Sequence, residues 1–300
     1  MIRKTLFVIL ILLPALSASL AVASGAKPIV KSVTLSNKLT FSYAEQGDAN
    51  GVPVIFLHGY TDSWRSFELV LPLLPSKIHA FALTQRGHGD SAHSAESYRL
   101  QDFSSDVAAF MDAMKLKRAV IVGHSMGSYV AQKFAQDHPE RTMGLVLIGS
   151  FTTVQRNAQV KELWDSVTSK LNDPIDPNFV RDFQRSTLNR PVPQEFLDAV
   201  VAESLKAPAR VWQGALKGLM ETDISDDLDK IKAPTLIIWG DKDSFFPRNE
   251  QDALAKGISG SQLLVYPGIG HSPNWEDPKR VAGDLTTFFE RFTNGKTAKR

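Results

Sequence analysis

The sequence predicts an α/β protein: a mostly parallel, doubly wound sheet that carries an inserted all-helical cap. Three observations lead there. Short apolar runs at 54–57, 78–83, 119–122, 145–148, 235–239 and 263–266 are continuous rather than alternating, as strands covered on both faces should be. Between them lie stretches with apolar residues at helical spacing, such as Val107, Phe110, Met111 and Met114. From 150 to 230 the strand pattern stops, and four helical stripes follow one another. A chain of 300 residues, 43% hydrophobic, supports one large core with an insertion better than two equal domains.

In chain order, 30–35 and 39–44 read as two strands joined by a turn at Asn37, a hairpin that opens the sheet. The strand 54–57 runs into His58-Gly59-Tyr60, and 66–74 reads as a short helix. The strand 78–83 ends near Arg86-Gly87-His88-Gly89-Asp90-Ser91, and 100–114 is the next helix. The strand 119–122 enters Gly123-His124-Ser125-Met126-Gly127, and an amphipathic stretch at 129–138 follows. In the cap, the stripes are Val160, Leu163, Trp164, Val167; Ile175, Phe179, Val180, Phe183; Phe196, Leu197, Val200, Val201; and Val211, Trp212, Ala215, Leu216, Leu219, Met220. Pro174, Pro191, Pro193 and Pro208 punctuate them. The βα rhythm resumes with the strand 235–239, then Gly240-Asp241-Lys242-Asp243, the strand 263–266, the turn 268–273 and a closing helix at 281–292. The expected organisation is a sheet domain at 24–149 and 231–300, with the cap at 150–230.

Residues 1–23 read as a signal peptide. Arg3 and Lys4 form a positive start, 6–13 is unbroken apolar chain, and Ala21-Val22-Ala23 is a small-residue cleavage signal before Ser24. The expected location is periplasmic or secreted. The alternative is an uncleaved N-terminal membrane anchor, because 5–26 carries no charge and approaches the length of a bilayer span. Pro14 and the small residues after it favour cleavage.

The chain has 34 Lys+Arg against 32 Asp+Glu. Loss of Arg3 and Lys4 with the leader would equalise them, so no basic field points to nucleic acid. Lys296, Lys299 and Arg300 read as a solvated end. There is no cysteine, hence no disulfide, no thiolate nucleophile and no cysteine metal site.

The chemistry centres on Gly123-His124-Ser125-Met126-Gly127. A strand before and a helix after turn this short pattern into a nucleophile elbow. A serine on so tight a turn is driven toward positive φ, and Gly123 and Gly127 provide the room. A serine hydroxyl is a poor nucleophile at neutral pH. It needs an imidazole to take its proton and a carboxylate to orient that imidazole. In doubly wound sheets such groups stand at the carboxyl ends of strands. Three strand ends offer them in the order Ser125, Asp243, His271. Of seven histidines, His271 alone follows the acid on a loop after a strand. His79, His93 and His138 have surface-like contexts. Asp241 also follows the strand 235–239, but it begins the turn, where Asp commonly bonds its own backbone two residues on. Asp243 has more reach toward His271.

These residues resemble the α/β-hydrolase superfamily: His58-Gly59, Arg86-Gly87-His88-Gly89-Asp90-Ser91, the elbow, Gly240-Asp241-Lys242-Asp243 and Gly270-His271-Ser272-Pro273. The resemblance covers about residues 30 to 292. It is specific for fold and triad and unspecific for substrate. It implies an α/β-hydrolase sheet, an oxyanion hole from the Tyr60 and Met126 N–H groups, and a structural His58. Thr84-Gln85-Arg86 departs from the pattern, since many relatives carry Asp at the first position. Haloalkane dehalogenases and epoxide hydrolases resemble the chain but use aspartate at the elbow, where Ser125 stands. The His-Gly-Tyr loop argues against a lipase of the HGGG type.

The expected function is hydrolysis of a small carboxylic ester or lactone through an acyl-enzyme intermediate, with no metal and no organic cofactor. Cofactor-free haloperoxidase (perhydrolase) activity and carbon–carbon bond hydrolysis stay open on the same triad, as does a slow-turnover ligand receptor. The expected partner is a small-molecule substrate, with membrane contact only through an uncleaved leader. Trp64, Phe67, Phe151, Phe245 and Trp275 flank the motifs and are the candidates for the pocket wall. Intact-mass measurement of the chain from a secreting bacterial host should give a start at Ser24; a full-length, membrane-bound product would instead establish the anchor.

Overall fold

The computed structural model describes residues 27–93 and 97–293, so the leader lies outside the described residues. Eight strands form one sheet: β1 Ile29–Thr34, β2 Thr40–Gln46, β3 Val52–Leu57, β4 Ile78–Leu83, β5 Ala119–His124, β6 Thr142–Ile148, β7 Thr235–Gly240 and β8 Gln262–Tyr266. Their order is β1-β2-β4-β3-β5-β6-β7-β8. The β1–β2 and β2–β4 pairings are antiparallel, and the others are parallel. The chain therefore reverses direction across the sheet at β3, whose neighbours are β4 and β5. The loops after β3 and β5 open side by side at this switch point, where doubly wound sheets bind ligands.

The continuous apolar strands have both faces buried, as their period of two requires. Ile55, Leu57, Ile121, Leu145 and Leu147 belong to one core cluster with helices α1 (Leu100–Ala113) and α2 (Met126–Asp137). Val54, Phe56, Val120, Val122, Val146 and Ile148 belong to the other, which includes Val281, Leu285, Phe288 and Phe289 of the closing helix Pro278–Thr293. Between β6 and β7 come α3 (Ala158–Ser166), α4 (Pro177–Ser186), α5 (Gln194–Ser204) and α6 (Ala209–Met220). Val160, Val180, Leu197, Trp212 and Leu216 continue the first cluster, so the cap and the sheet share one core.

Three local expectations change. The helix expected at 66–74 is two 3₁₀ turns, Trp64–Phe67 and Leu71–Leu73. Pro72 explains the break, because its ring removes an N–H and collides with the preceding turn of an α-helix. Helix α7 (Arg248–Gly257) stands between β7 and β8 without an apolar stripe to announce it; Leu254 is its one buried apolar residue. His79 is buried rather than surface-like, with Nε2 2.8 Å from Glu45 Oε1.

The loop after β4 is pinned by charge. Arg86 donates from Nε to Asp106 Oδ2 at 2.5 Å and from Nη2 to Oδ1 at 2.7 Å. Asn37 adds a bond to Asp106 Oδ1. Thr84, at the position where the sequence departs from its relatives, accepts the Trp64 N–H at 3.1 Å. Both members of the Arg86–Asp106 pair are buried, so removing one strands the other away from water. Asp106→Ala should therefore cost about 3–5 kcal/mol, measured as a lowered midpoint in denaturant unfolding.

Candidate active site

The elbow takes the shape its glycines allow. Ser125 has φ 51° and ψ −119°, a conformation forced by the strand-to-helix turn. A Cβ on Gly123 would lie 2.2 Å from Gly127 O, and one on Gly127 would lie 2.2 Å from Leu57 O. Neither backbone oxygen has room to retreat. Ser125 stands as N-cap of α2, so the first N–H groups of that helix, Met126 included, lack helical acceptors.

Ser125, His271 and Asp243 form a continuous chain of hydrogen bonds. Ser125 Oγ donates to His271 Nε2 at 2.9 Å, and His271 Nδ1 donates to Asp243 Oδ2 at 2.9 Å. The Asp243 side chain is fully enclosed. Its Oδ1 accepts the N–H groups of Phe245 and Phe246 at 2.8 and 3.0 Å. The side-chain-to-backbone turn expected at Asp241 is thus found at Asp243. Asp241 instead accepts Gly268 N–H at 2.6 Å and joins the turns after β7 and β8.

The loop after β3 carries the other candidate oxyanion donor. Gln85 N–H donates to His58 Nε2 at 2.9 Å, so Nδ1 holds the proton and donates to Gly59 O at 2.8 Å. This clamps the Tyr60 backbone beside the elbow. Among the described residues, the N–H groups of Tyr60 and Met126 donate to no protein acceptor. The Tyr60 hydroxyl donates to Trp212 O at 2.6 Å and ties the loop to α6.

A pocket opens over Ser125 with a cavity of about 60 Å³. Tyr60, Met126, Phe151, Phe245, His271 and Trp275 line it. Trp64 and Phe67 do not. They sit three apart on a 3₁₀ turn, share one face, and bury it in the core beneath the sheet with Phe56, whose ring lies 5.0 Å from that of Phe67. Cap residues Val160, Leu163, Leu216 and Leu219 complete an apolar wall. A polar groove of about 650 Å³ adjoins the pocket, and Phe245 belongs to both walls.

Among the polar lining residues, Asp62, Gln184 and Thr187 had no place in the sequence reading, and His124 stood there only as part of the elbow. His124 Nε2 donates to His271 O at 3.1 Å and holds the backbone of that loop. Gln184 reaches Asp62 Oδ1 from α4 at 3.0 Å. A carboxylate directly beyond Gly59-Tyr60 was the one available signal for Asp62. Gln184 had none, since a cap glutamine has no motif.

Burial governs the ionisation of this region. It pushes His124 down to about 3 and His88 down to about 4, and it lowers His58 well below the ordinary histidine range. It pushes the Asp62 carboxyl up to about 7, against hydrogen bonds from Gln184 and Ser66. The three histidines are thus neutral in the folded protein down to acidic pH, whereas unfolded histidine protonates near 6.5.

A family model described as alpha/beta hydrolase fold matches residues 52–278. The chain belongs to this family and is a hydrolase of that fold. It is 29% identical over 274 residues to a non-heme haloperoxidase of Rhodococcus erythropolis, covering 86% of this chain and 98% of that one. It is 28% identical over 281 residues to monoacylglycerol lipase ABHD6 of Rattus norvegicus, covering 87% and 82%. Among solved structures, an esterase from Exiguobacterium antarcticum superposes with a TM-score of 0.78 at 23% identity, over 87% of this chain and 100% of that one. Among the described residues no helix is long and apolar enough to cross a membrane.

The depressed histidines predict acid sensitivity. Below about pH 6.5 the unfolded chain binds protons that folded His58, His88 and His124 refuse, so stability falls as pH falls. Asp62 acts in the opposite sense between about pH 4 and 7, because its folded form keeps a proton the unfolded form has lost, and the raised Asp106 and Glu276 act with it. The lowered Glu45 and Asp102, however, work in the same direction as the three histidines. Thermal melts from pH 7 to 4 should show a steadily falling midpoint, and His88→Asn should flatten that slope.

Proposed function

We propose that the chain is a serine hydrolase cleaving a carboxylic ester or lactone through an acyl-enzyme. The observation that carries this reading is the unbroken Asp243–His271–Ser125 hydrogen-bond chain beneath a pocket. Ser125 Oγ attacks the carbonyl carbon as His271 Nε2 takes its proton. Asp243 holds the Nδ1–H tautomer and stabilises the imidazolium. The Tyr60 and Met126 N–H groups receive the oxyanion. His271 returns the proton to the leaving oxygen, and water, activated by the same imidazole, releases the acyl group. Phe151, Phe245 and Trp275 contact the substrate in this reading, and the small cavity favours a short acyl chain. No step requires a metal or organic cofactor. The mature protein acts outside the cytoplasm on a small molecule.

A second reading rests on the likeness to a non-heme haloperoxidase. There the same acyl-enzyme would be opened by hydrogen peroxide in place of water, giving a peracid. Screening aryl esters of graded length, lactones and peroxide-dependent halogenation with the purified chain separates the two.

Ser125→Ala should lower kcat on esters by about 10⁶-fold, because triad members act as a unit, and a fluorophosphonate should label Ser125 in the wild type. Asp243→Asn should cost about 10⁴-fold through the wrong imidazole tautomer. Asp241→Asn should cost far less, because Asp241 contacts Gly268 rather than His271. Labelling at another residue, or a larger loss for Asp241→Asn, would reject the assignment.

A further inference from the structure

The pocket lining is of two kinds. Phe151, Val160, Leu163, Leu216, Leu219 and Phe245 are apolar, while Asp62, His124, Gln184, Thr187 and Ser272 are polar, with Gln184 bonded to Asp62 and Ser272 to Thr187. The triad uses none of these polar side chains. Asp62 is 3% exposed and pairs with no cation among the described residues. Burying a carboxyl without a cation is costly, and the fold offsets that cost only in part. Oδ1 accepts from Gln184 at 3.0 Å and Oδ2 accepts from Ser66 at 3.3 Å. A carboxylate accepts about four hydrogen bonds; Gln184, Ser66 and the Gly59 backbone supply three, and Asp62 keeps capacity for one more.

A second buried acceptor stands in the same corner. His124 gives its Nε2 proton to His271 O, which leaves Nδ1 as a bare lone pair, and Nδ1 is buried without a partner. The place a Gly59 Cβ would occupy is 2.9 Å from Asp62 Oδ2 and 3.1 Å from His124 Nδ1. Both acceptors therefore crowd the same side of Gly59, the residue that precedes the candidate oxyanion donor Tyr60. Gln184 is itself held, donating to Ser204 Oγ at 3.0 Å as well as to Asp62. The corner is acceptor-rich, braced from the cap, and next to the reacting carbonyl.

We propose that the corner centred on Asp62 and Gln184 is a subsite for a free hydroxyl group of the substrate, so that the preferred ester or lactone carries a hydroxyl near its scissile bond. This rests on the ester-hydrolase reading. A hydroxyl donates to Asp62, whose carboxyl Gln184 holds in place, and it enters an otherwise apolar pocket at less desolvation cost than an ammonium. The hydroxyl has two possible sources, the acyl part or the alcohol part, and matched substrates tell them apart.

The test uses two pairs of esters, one with the group on the acyl side and one on the alcohol side. Within each pair a hydroxyl is compared with its methoxy analogue, which cannot donate. In one pair kcat/KM should favour the hydroxyl by about tenfold, the scale of a hydrogen bond to a charged acceptor. The preference should grow from pH 6 to 8, because protonated Asp62 can donate to either oxygen and ionised Asp62 to neither. The other titratable groups facing Asp62 are His124 and His271, and comparing two substrates at one pH cancels their effect on turnover. Asp62→Asn should bring the ratio toward one, since an amide N–H serves a hydroxyl or a methoxy oxygen alike. Ratios near one in both pairs, or a ratio unchanged in Asp62→Asn, would overturn the subsite. If that variant does not fold, the wild-type ratio and its pH trend decide alone. Failure of every ester, methoxy forms included, would count against the ester reading itself. Tryptophan fluorescence titration with a short diol against its dimethyl ether would then decide the subsite, and equal responses would overturn it.

Discussion

The structure turns on a backbone contact that leaves no space for a side chain. Gly127 at the start of α2 presses on the carbonyl of Leu57 at the end of β3, and Gly123 presses on Gly127 itself. These approaches bring two strand ends of the switch point together and drive Ser125 to positive φ. Everything the site needs follows from that compression. The serine oxygen is lifted clear of the turn, the free end of α2 faces the Tyr60 loop, and the loop after β8 can reach across to Ser125.

The cap does more than cover this arrangement. His271 N–H donates to Thr187 O at 2.9 Å, so the residue after α4 holds the backbone of the histidine loop. Glu276 accepts from Gly270, Asn189 and Arg190, binding the same loop to the chain that follows α4. Tyr60 is fastened to α6 through Trp212, and Asp62 to α4 through Gln184. The groups that line the pocket are therefore held from both sides, by the sheet below and the cap above. Such bracing keeps a hydrogen-bonded constellation within the narrow tolerances that catalysis demands.

Burial also sorts the histidines by role. His58, His88 and His124 are enclosed and kept neutral; His58 and His124 join loops through backbone partners, and His88 braces the backbone of its own loop. His271 is the one whose two nitrogens both meet side chains of the triad. The same enclosure that makes three imidazoles structural makes Asp62 a weak acid inside the pocket. A polar corner and an apolar wall then meet at one serine.

Much of this was legible in the chain alone, because it depends on local pattern. Continuous apolar runs read as doubly covered strands, and the glycines around Ser125 announce a turn only they permit. The order Ser125, Asp243, His271 along successive strand ends is a property of the chain as well. What the chain could not show depends on contacts between distant segments. Strand order, with β3 between β4 and β5, is decided by pairing across the sheet. Trp64 and Phe67 looked like pocket residues by proximity to a motif, yet the 3₁₀ turn aims both into the core. Helix α7 has one buried apolar side chain and so left no stripe to read. Asp62 and Gln184 lie 122 residues apart. A side chain's partner at that distance is chosen by packing of the cap on the sheet, and no periodicity in the sequence records it.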